Sequence, residues 1–319
     1  MTKEIRNRIV YSLPGEKEFR QITEGDVSDS AKEVIVQPFA TDQKAIRFEG
    51  SSEVVSSESV SFELYEAEPS FQYNKEQYKQ LVKEASRESH EGKIVVSRIR
   101  DFKFDFMDLG SSLMRLRQAF PNAFVYAMQL VDAGTWVGAT PEILVRGNRS
   151  NYQSVALAGT VWDDRQFGVK ETEEQALVMN DISDKLEGEQ FEIRSPKEMG
   201  YGPIRHLKSD VHIKSGLSGL ELARKLHPTS AIAGLPMKSA LQFIQDNEVH
   251  NRELYTGYLG LTEKDGETNL FVNLRCMQLF RGTLRFYVGG GVNARSEADV
   301  EWEETERKMN AVLAEIDMK

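Results

Sequence analysis

Two pairs of glutamates at helical spacing carry the first chemical signal in this chain. Glu301 and Glu304 stand three residues apart, and Lys308 follows four residues later. At helical pitch all three share one stripe. Met309, Val312, Leu313 and Ile316 mark the apolar face beside that stripe, while Glu303 and Arg307 point away. Glu171 and Glu174 repeat the spacing, bordering an apolar face of Val178, Met179, Ile182 and Leu186. Such pairs are ordinary on solvated helices, and acid in a first turn suits the helix dipole. Four carboxylates that converged would repel one another unless a cation lay among them. Mg2+ takes oxygen ligands and shares its shell with a substrate. A magnesium site made by two helices is therefore one reading of the pattern.

The elements that would position these groups can be read outward from them. A strand-like run, TLRFYV, ends in Gly289, Gly290 and Gly291, where other groups can approach the backbone closely. A polar turn follows, with Ser296 placed to cap the last helix. The other acidic helix is expected over Lys170–Leu186. Helices are also expected over Asn74–Glu88, Met107–Phe120, Leu217–Leu226 and Ser239–Gln245. Apolar runs of strand length fill much of the rest: KIVVSR, AFVYAMQLV, TWVGA, EILVR, YQSVALAG, EIRS, PIRHLKSDVHIKS, LYTGYLGL and NLFVNLRCMQLF. Short turns separate most of them, which predicts antiparallel pairing. Residues 1 to about 75 are polar and broken by turns, with short strands at VIVQPF and AIRFEG and an exposed loop over Ser51–Ser61. There is no βαβ alternation and no GxxxxGK[ST] loop, so the expected class is α+β.

Composition narrows the partners. The chain has 319 residues and a formal net charge of −10, which disfavours nucleic acid and anionic membranes. No apolar run approaches the ~20 residues of a membrane span. The charged opening, MTKEIRNRIV, lacks the apolar core of a secretion signal. Cys276 is the single cysteine, so no internal disulfide can form, and a cytoplasmic location is expected. An anionic small molecule could still be held by clustered Arg and Lys or by a divalent metal.

Six motifs in order resemble those of the chorismate-utilising enzymes. They are KIVVSR (93–98), GATPEILV (138–145), LAGT (157–160), LHPTSAIAGLP (226–236), RELYTGYLG (252–260), and the stretch from LRCMQLF through YVGGGV to EWEETERK (274–308). That family includes isochorismate synthase, salicylate synthase, and the large subunits of anthranilate and aminodeoxychorismate synthase. The resemblance implies one catalytic domain over residues 1–319, with residues 1–70 its variable N-terminal part and residues 71–319 its motif-bearing part. It implies a large antiparallel β-sandwich with outer helices and an active site in the cleft between its halves.

The resemblance also implies roles. Lys93 matches the general base of the water-using members and Glu142 the general acid. Glu171, Glu174, Glu301 and Glu304 match the magnesium-site carboxylates, with Glu174 and Glu304 the direct ligands and Glu171 and Glu301 acting through water. Arg275 and Tyr255 match the receptor for the substrate's side-chain carboxylate; an arginine fork suits a carboxylate. Gly289 and Gly290 line the substrate, Lys308 sits near the metal and ring carboxylate, and His206 lines the ring pocket. Ala231 and Ile232 fall in the segment that divides the family. Members that add ammonia, and salicylate synthases, usually carry threonine there, whereas alanine is typical of isochorismate synthases.

The implied reaction is the Mg2+-dependent conversion of chorismate to isochorismate. Salicylate synthase, which goes on to eliminate pyruvate, and a non-catalytic chorismate-binding protein are the alternatives. No glutamine amidotransferase subunit is expected, and a monomer is. Menaquinone or catechol siderophore synthesis would use the product. Two departures from the family pattern stand out. Gln175 replaces a frequent histidine, and the loop after Thr160 looks short.

Overall fold

The computed structural model describes residues 5–25, 31–89 and 92–319. Strand pairing is antiparallel throughout these residues, in two nine-stranded sheets and one small two-stranded sheet. Across the first sheet the order is Gly234–Leu235, Lys93–Lys103, Thr283–Val292, Cys276–Phe280, Gly134–Thr140, Phe124–Leu130, Arg8–Ser12, Phe19–Thr23 and Ser52–Val55. The second runs Gln190–Ile193, Ile204–Lys214, Asn151–Trp162, Ile143–Asn148, Thr268–Val272, Tyr258–Glu263, Lys32–Gln37 and Ile46–Gly50. Lys197–Tyr201 also pairs with Ile204–Lys214.

Alternation along the strands decides the layers. Ile9, Tyr11, Phe124, Trp136 and Tyr287 of the first sheet pack against Val34, Val36, Leu259 and Phe271 of the second, forming the inner core. Six helices among the described residues cover the outside. They are α1 (Lys75–Glu88), α2 (Leu109–Ala119), α3 (Val169–Lys185), α4 (Gly219–Leu226), α5 (Met237–Asn247) and α6 (Ala298–Leu313). The outer face of the first sheet meets α2 and α6 through Leu113, Leu116, Met309 and Val312. The second meets α3 and α4 through Val178, Ile182, Leu222 and Leu226. Tyr78, Val82, Ala240 and Phe243 of α1 and α5 close over Ile94 and Val96. This is the expected α+β sandwich with outer helices.

Several local readings change. Part of Ser51–Ser61 is not a loop: Ser52–Val55 pairs with Phe19–Thr23 at the sheet edge, where Glu53 and Val54 face solvent. The run Asn269–Phe280 is two strands, one in each sheet. The chain crosses between the sheets at 273–275, and Arg275 adopts φ 52° there. Residues 254–257 turn before the strand Tyr258–Glu263 begins. Ser296 does not cap α6; Glu297 holds that position, and the Ser296 hydroxyl accepts from the Asn293 N–H at 3.2 Å.

Candidate active site

The strand Thr283–Val292 pairs with Lys93–Lys103, setting Gly291 opposite Val95 and Val292 opposite Ile94. Its glycines leave room for acid. A Cβ on Gly290 would stand 3.3 Å from Glu304 Oε1 and 3.4 Å from Glu301 Oε2. One on Gly291 would stand 2.3 Å from Glu174 Oε1. Helices α3 and α6 therefore deliver Glu174, Glu301 and Glu304 to the same two residues of backbone. All three are buried. Glu171 is placed differently: it is half-buried at the first turn of α3, and its Oε2 accepts from the Gly168 N–H at 2.8 Å.

Each of the three buried carboxylates carries a lysine. Lys93 Nζ lies 3.0 Å from Glu174 Oε1, Lys170 Nζ 2.5 Å from Glu301 Oε1, and Lys308 Nζ 2.6 Å from Glu304 Oε1. Lys308 also donates to the Gly289 carbonyl at 3.1 Å. Burial pushes Glu174 up, but Lys93 and Lys170 outweigh it and its pKa is lowered overall. Burial raises Glu301 to about 7 against the pull of Lys170. Its Oε2 is buried with no hydrogen-bond partner. Among the described residues no three His, Cys, Asp or Glu side chains already stand in a metal-binding constellation.

The cleft beside this cluster is lined by Glu142, Glu174, His206, Tyr255, Arg275 and Lys308, with Ala231, Ile232 and Gly289–Gly291 completing its wall. Lys93 is not among the lining side chains; its Nζ lies 3.0 Å from Oε1 of Glu174, which is. Glu142 follows Pro141 at the end of the strand Gly134–Thr140, and burial raises its carboxyl to about 8 despite Lys93, Arg275 and Lys308. A carboxyl so placed keeps its proton at neutral pH and can donate it. Arg275 stands at the sheet crossover, with Tyr201 under its guanidinium at 4.9 Å. Tyr255 stacks on Tyr287 at 5.8 Å between ring centres. His206 Nε2 lies 3.0 Å from Arg275 NH2, and its Nδ1 faces Thr160 Oγ at 3.2 Å and the Gly159 carbonyl at 3.3 Å.

The residues proposed from sequence thus line the cleft or stand in the acidic cluster, except that Lys93 contacts Glu174 from outside the lining and Glu171 bonds to the Gly168 N–H at the start of α3. Several participants went unread. Lys170 neighbours Glu171 in sequence, and its pairing with Glu301 on another helix had no local sign. Arg252 donates to the Ile232 carbonyl at 2.9 Å and the Val95 carbonyl at 2.7 Å, stitching the pocket segment to the Lys93 strand. Glu248 holds Arg252 at 2.7 Å from within the same buried layer. The shell around Gln175 is complete on its amide side, where Nε2 donates to Ala156 O and Ser209 Oγ, both at 3.1 Å.

A two-sheet sandwich with acidic helices meeting at a glycine strand defines a class, and comparison with known proteins identifies it. The chain belongs to the chorismate binding enzymes, whose family model matches residues 26–317. Over 239 residues it is 30% identical to isochorismate synthase EntC of Escherichia coli (strain K12), a match covering 69% of this chain and 61% of that protein. The chain therefore spans about three fifths of that curated relative's length. Among solved structures, DhbC from Bacillus anthracis superposes with a TM-score of 0.81 at 23% identity, covering 98% of this chain and 97% of that one. MenF, the menaquinone-specific isochorismate synthase of Escherichia coli, superposes at 0.80 and 19% identity, covering 98% and 89%. These two likenesses speak for the fold.

Proposed function

We propose that this chain is an isochorismate synthase, an isomerase that converts chorismate to isochorismate with Mg2+. The observation that carries the reading is Glu142, a buried carboxyl raised by burial to about 8 on the wall of a cleft that Arg275 and Lys308 also line. Lys93, acting as the neutral amine, takes a proton from water, and that water attacks C2 of the ring. Glu142 gives its proton to the C4 hydroxyl, which leaves as water while the ring double bonds shift. Arg275 and Tyr255 hold the side-chain carboxylate, and Lys308 faces the ring carboxylate. Ala231 leaves no hydroxyl in the segment where relatives that use other nucleophiles usually carry threonine. With water as nucleophile, no amidotransferase partner is needed, and the chain acts as a single catalytic domain and a monomer.

The donor set fits a hard divalent cation. Glu174, Glu301 and Glu304 would supply buried oxygen ligands, and the glycines leave space a Cβ would fill. Glu171 stands close enough in sequence to serve through water. When bound, Mg2+ would offset the charge of the ring carboxylate. Lys93, Lys170 and Lys308 pair with these three carboxylates. No helix among the described residues is long and apolar enough to cross a membrane.

The test is to incubate the protein with chorismate, with and without Mg2+, and to identify the product. Isochorismate formed only with the cation supports the reading. Salicylate with pyruvate would favour the eliminating relatives instead, and unchanged chorismate would sink it.

A further inference from the structure

Arg275 is buried, yet one of its two terminal nitrogens has no partner. NH1 is enclosed without a hydrogen bond, in a residue only 8% exposed on the cleft wall. The other, NH2, lies 3.0 Å from His206 Nε2. A guanidinium carries donors alone. Nε2 must therefore accept, and the ring proton must sit on Nδ1. The opposite edge of the ring requires the same answer. Nδ1 faces the Gly159 carbonyl at 3.3 Å, which can only accept, and Thr160 Oγ at 3.2 Å, which can. Two independent contacts thus select one neutral tautomer. Burial, followed by the charges of Arg275 and Lys308, opposes a second proton on the ring.

We propose that His206 is a positioning residue: its Nε2 holds one arm of Arg275 and so fixes the guanidinium at the cleft wall, and the bulge at Gly159 and Thr160 in the strand Asn151–Trp162 fixes the tautomer that makes this possible. The inference rests on the reading of Arg275 as a carboxylate receptor. His206 transfers no proton in the reaction. Its service is to stop the guanidinium from turning about its long side chain, at a backbone position already constrained to φ 52°. The ring of Tyr201 limits the guanidinium from below.

The experiment pairs two substitutions with one spectrum. His206→Leu removes the acceptor. His206→Gln restores one, because its side-chain oxygen can accept near the position of Nε2. The Leu variant should raise the KM for chorismate roughly tenfold to a hundredfold, the worth of one hydrogen bond to a charged group, with kcat little changed. The Gln variant should recover most of that loss. In the wild-type protein at neutral pH, 15N NMR of the imidazole should report a protonated Nδ1 and a bare Nε2. A collapse of kcat in both variants with KM unmoved would overturn the inference, since that is the mark of a proton-transfer group. An Nε2–H tautomer would overturn it too, whether or not the Leu variant folds. Failure of the wild-type protein to act on chorismate would instead overturn the proposed function, and the spectrum would still decide the tautomer.

Discussion

Replacing Glu142 by Gln separates activity from stability in opposite directions. The carboxyl is buried and its pKa rises from 4.5 to about 8. At about 1.4 kcal/mol per pH unit, ionising it inside the fold costs on the order of 5 kcal/mol. The sign follows from linkage. The folded protein holds this proton more tightly than the unfolded chain does. The stability it contributes is therefore whole below about pH 4.5 and is lost as pH rises through about 8. Glutamine has the same shape and no proton to lose, so Glu142→Gln should melt higher than wild type at pH values above about 8. Its kcat should fall by about 10²–10⁴-fold, the usual worth of a general acid. Wild-type activity should decline on the alkaline side as the same carboxyl ionises. The assays are steady-state turnover of chorismate and thermal melts, each across pH. Near wild-type turnover in the variant would refute the assignment. A lower melting temperature at alkaline pH would refute the electrostatic argument.

Three further outcomes follow from the geometry. Lys93→Met should lose about 10²–10⁴-fold in turnover and leave Glu174 without its 3.0 Å partner, so Mg2+ should raise its melting temperature more than it raises that of wild type. Gly291→Ala would press a methyl toward Glu174 Oε1, at 2.3 Å before relaxation; displacement of that carboxylate should weaken Mg2+ binding about 10–100-fold by calorimetry while the fold survives. Arg98 lies over the Trp302 ring at 4.0 Å and donates to Thr305 Oγ at 3.0 Å, tying α6 to the Lys93 strand; Arg98→Leu should cost about 2–3 kcal/mol in denaturant unfolding.

The parts of this molecule that could be read from sequence are those where one periodicity runs uninterrupted. Helices α3 and α6 show apolar residues at helical spacing beside their glutamates, and both were placed within a few residues. Antiparallel pairing was legible in the short turns between apolar runs. The crossover at 273–275 was not, because Asn273, Leu274 and Arg275 contain no glycine or proline to mark a break. The constraint there is tertiary: Tyr126 and Asn273 hydrogen-bond at 2.5 Å, and Asn273 reaches the Leu254 carbonyl at 2.8 Å. The strands Lys32–Gln37 and Ile46–Gly50 match the expected VIVQPF and AIRFEG runs, but Ser52–Val55 was obscured for a different reason. Ser52–Val55 is an edge strand with one face in water, so its composition resembles a loop. The carboxylates of the site announced themselves by spacing, and the motif resemblance gave them roles. Their lysine partners did not, because Lys170 meets Glu301 across 131 residues of chain.

The most direct test of the account is the identity of what the purified protein makes from chorismate in the presence of Mg2+, followed by NMR as the reaction proceeds. The account predicts a mixture of chorismate and isochorismate that is reached from either side and vanishes on chelation of the metal. Formation of salicylate and pyruvate, or a spectrum of chorismate that never changes, would contradict it.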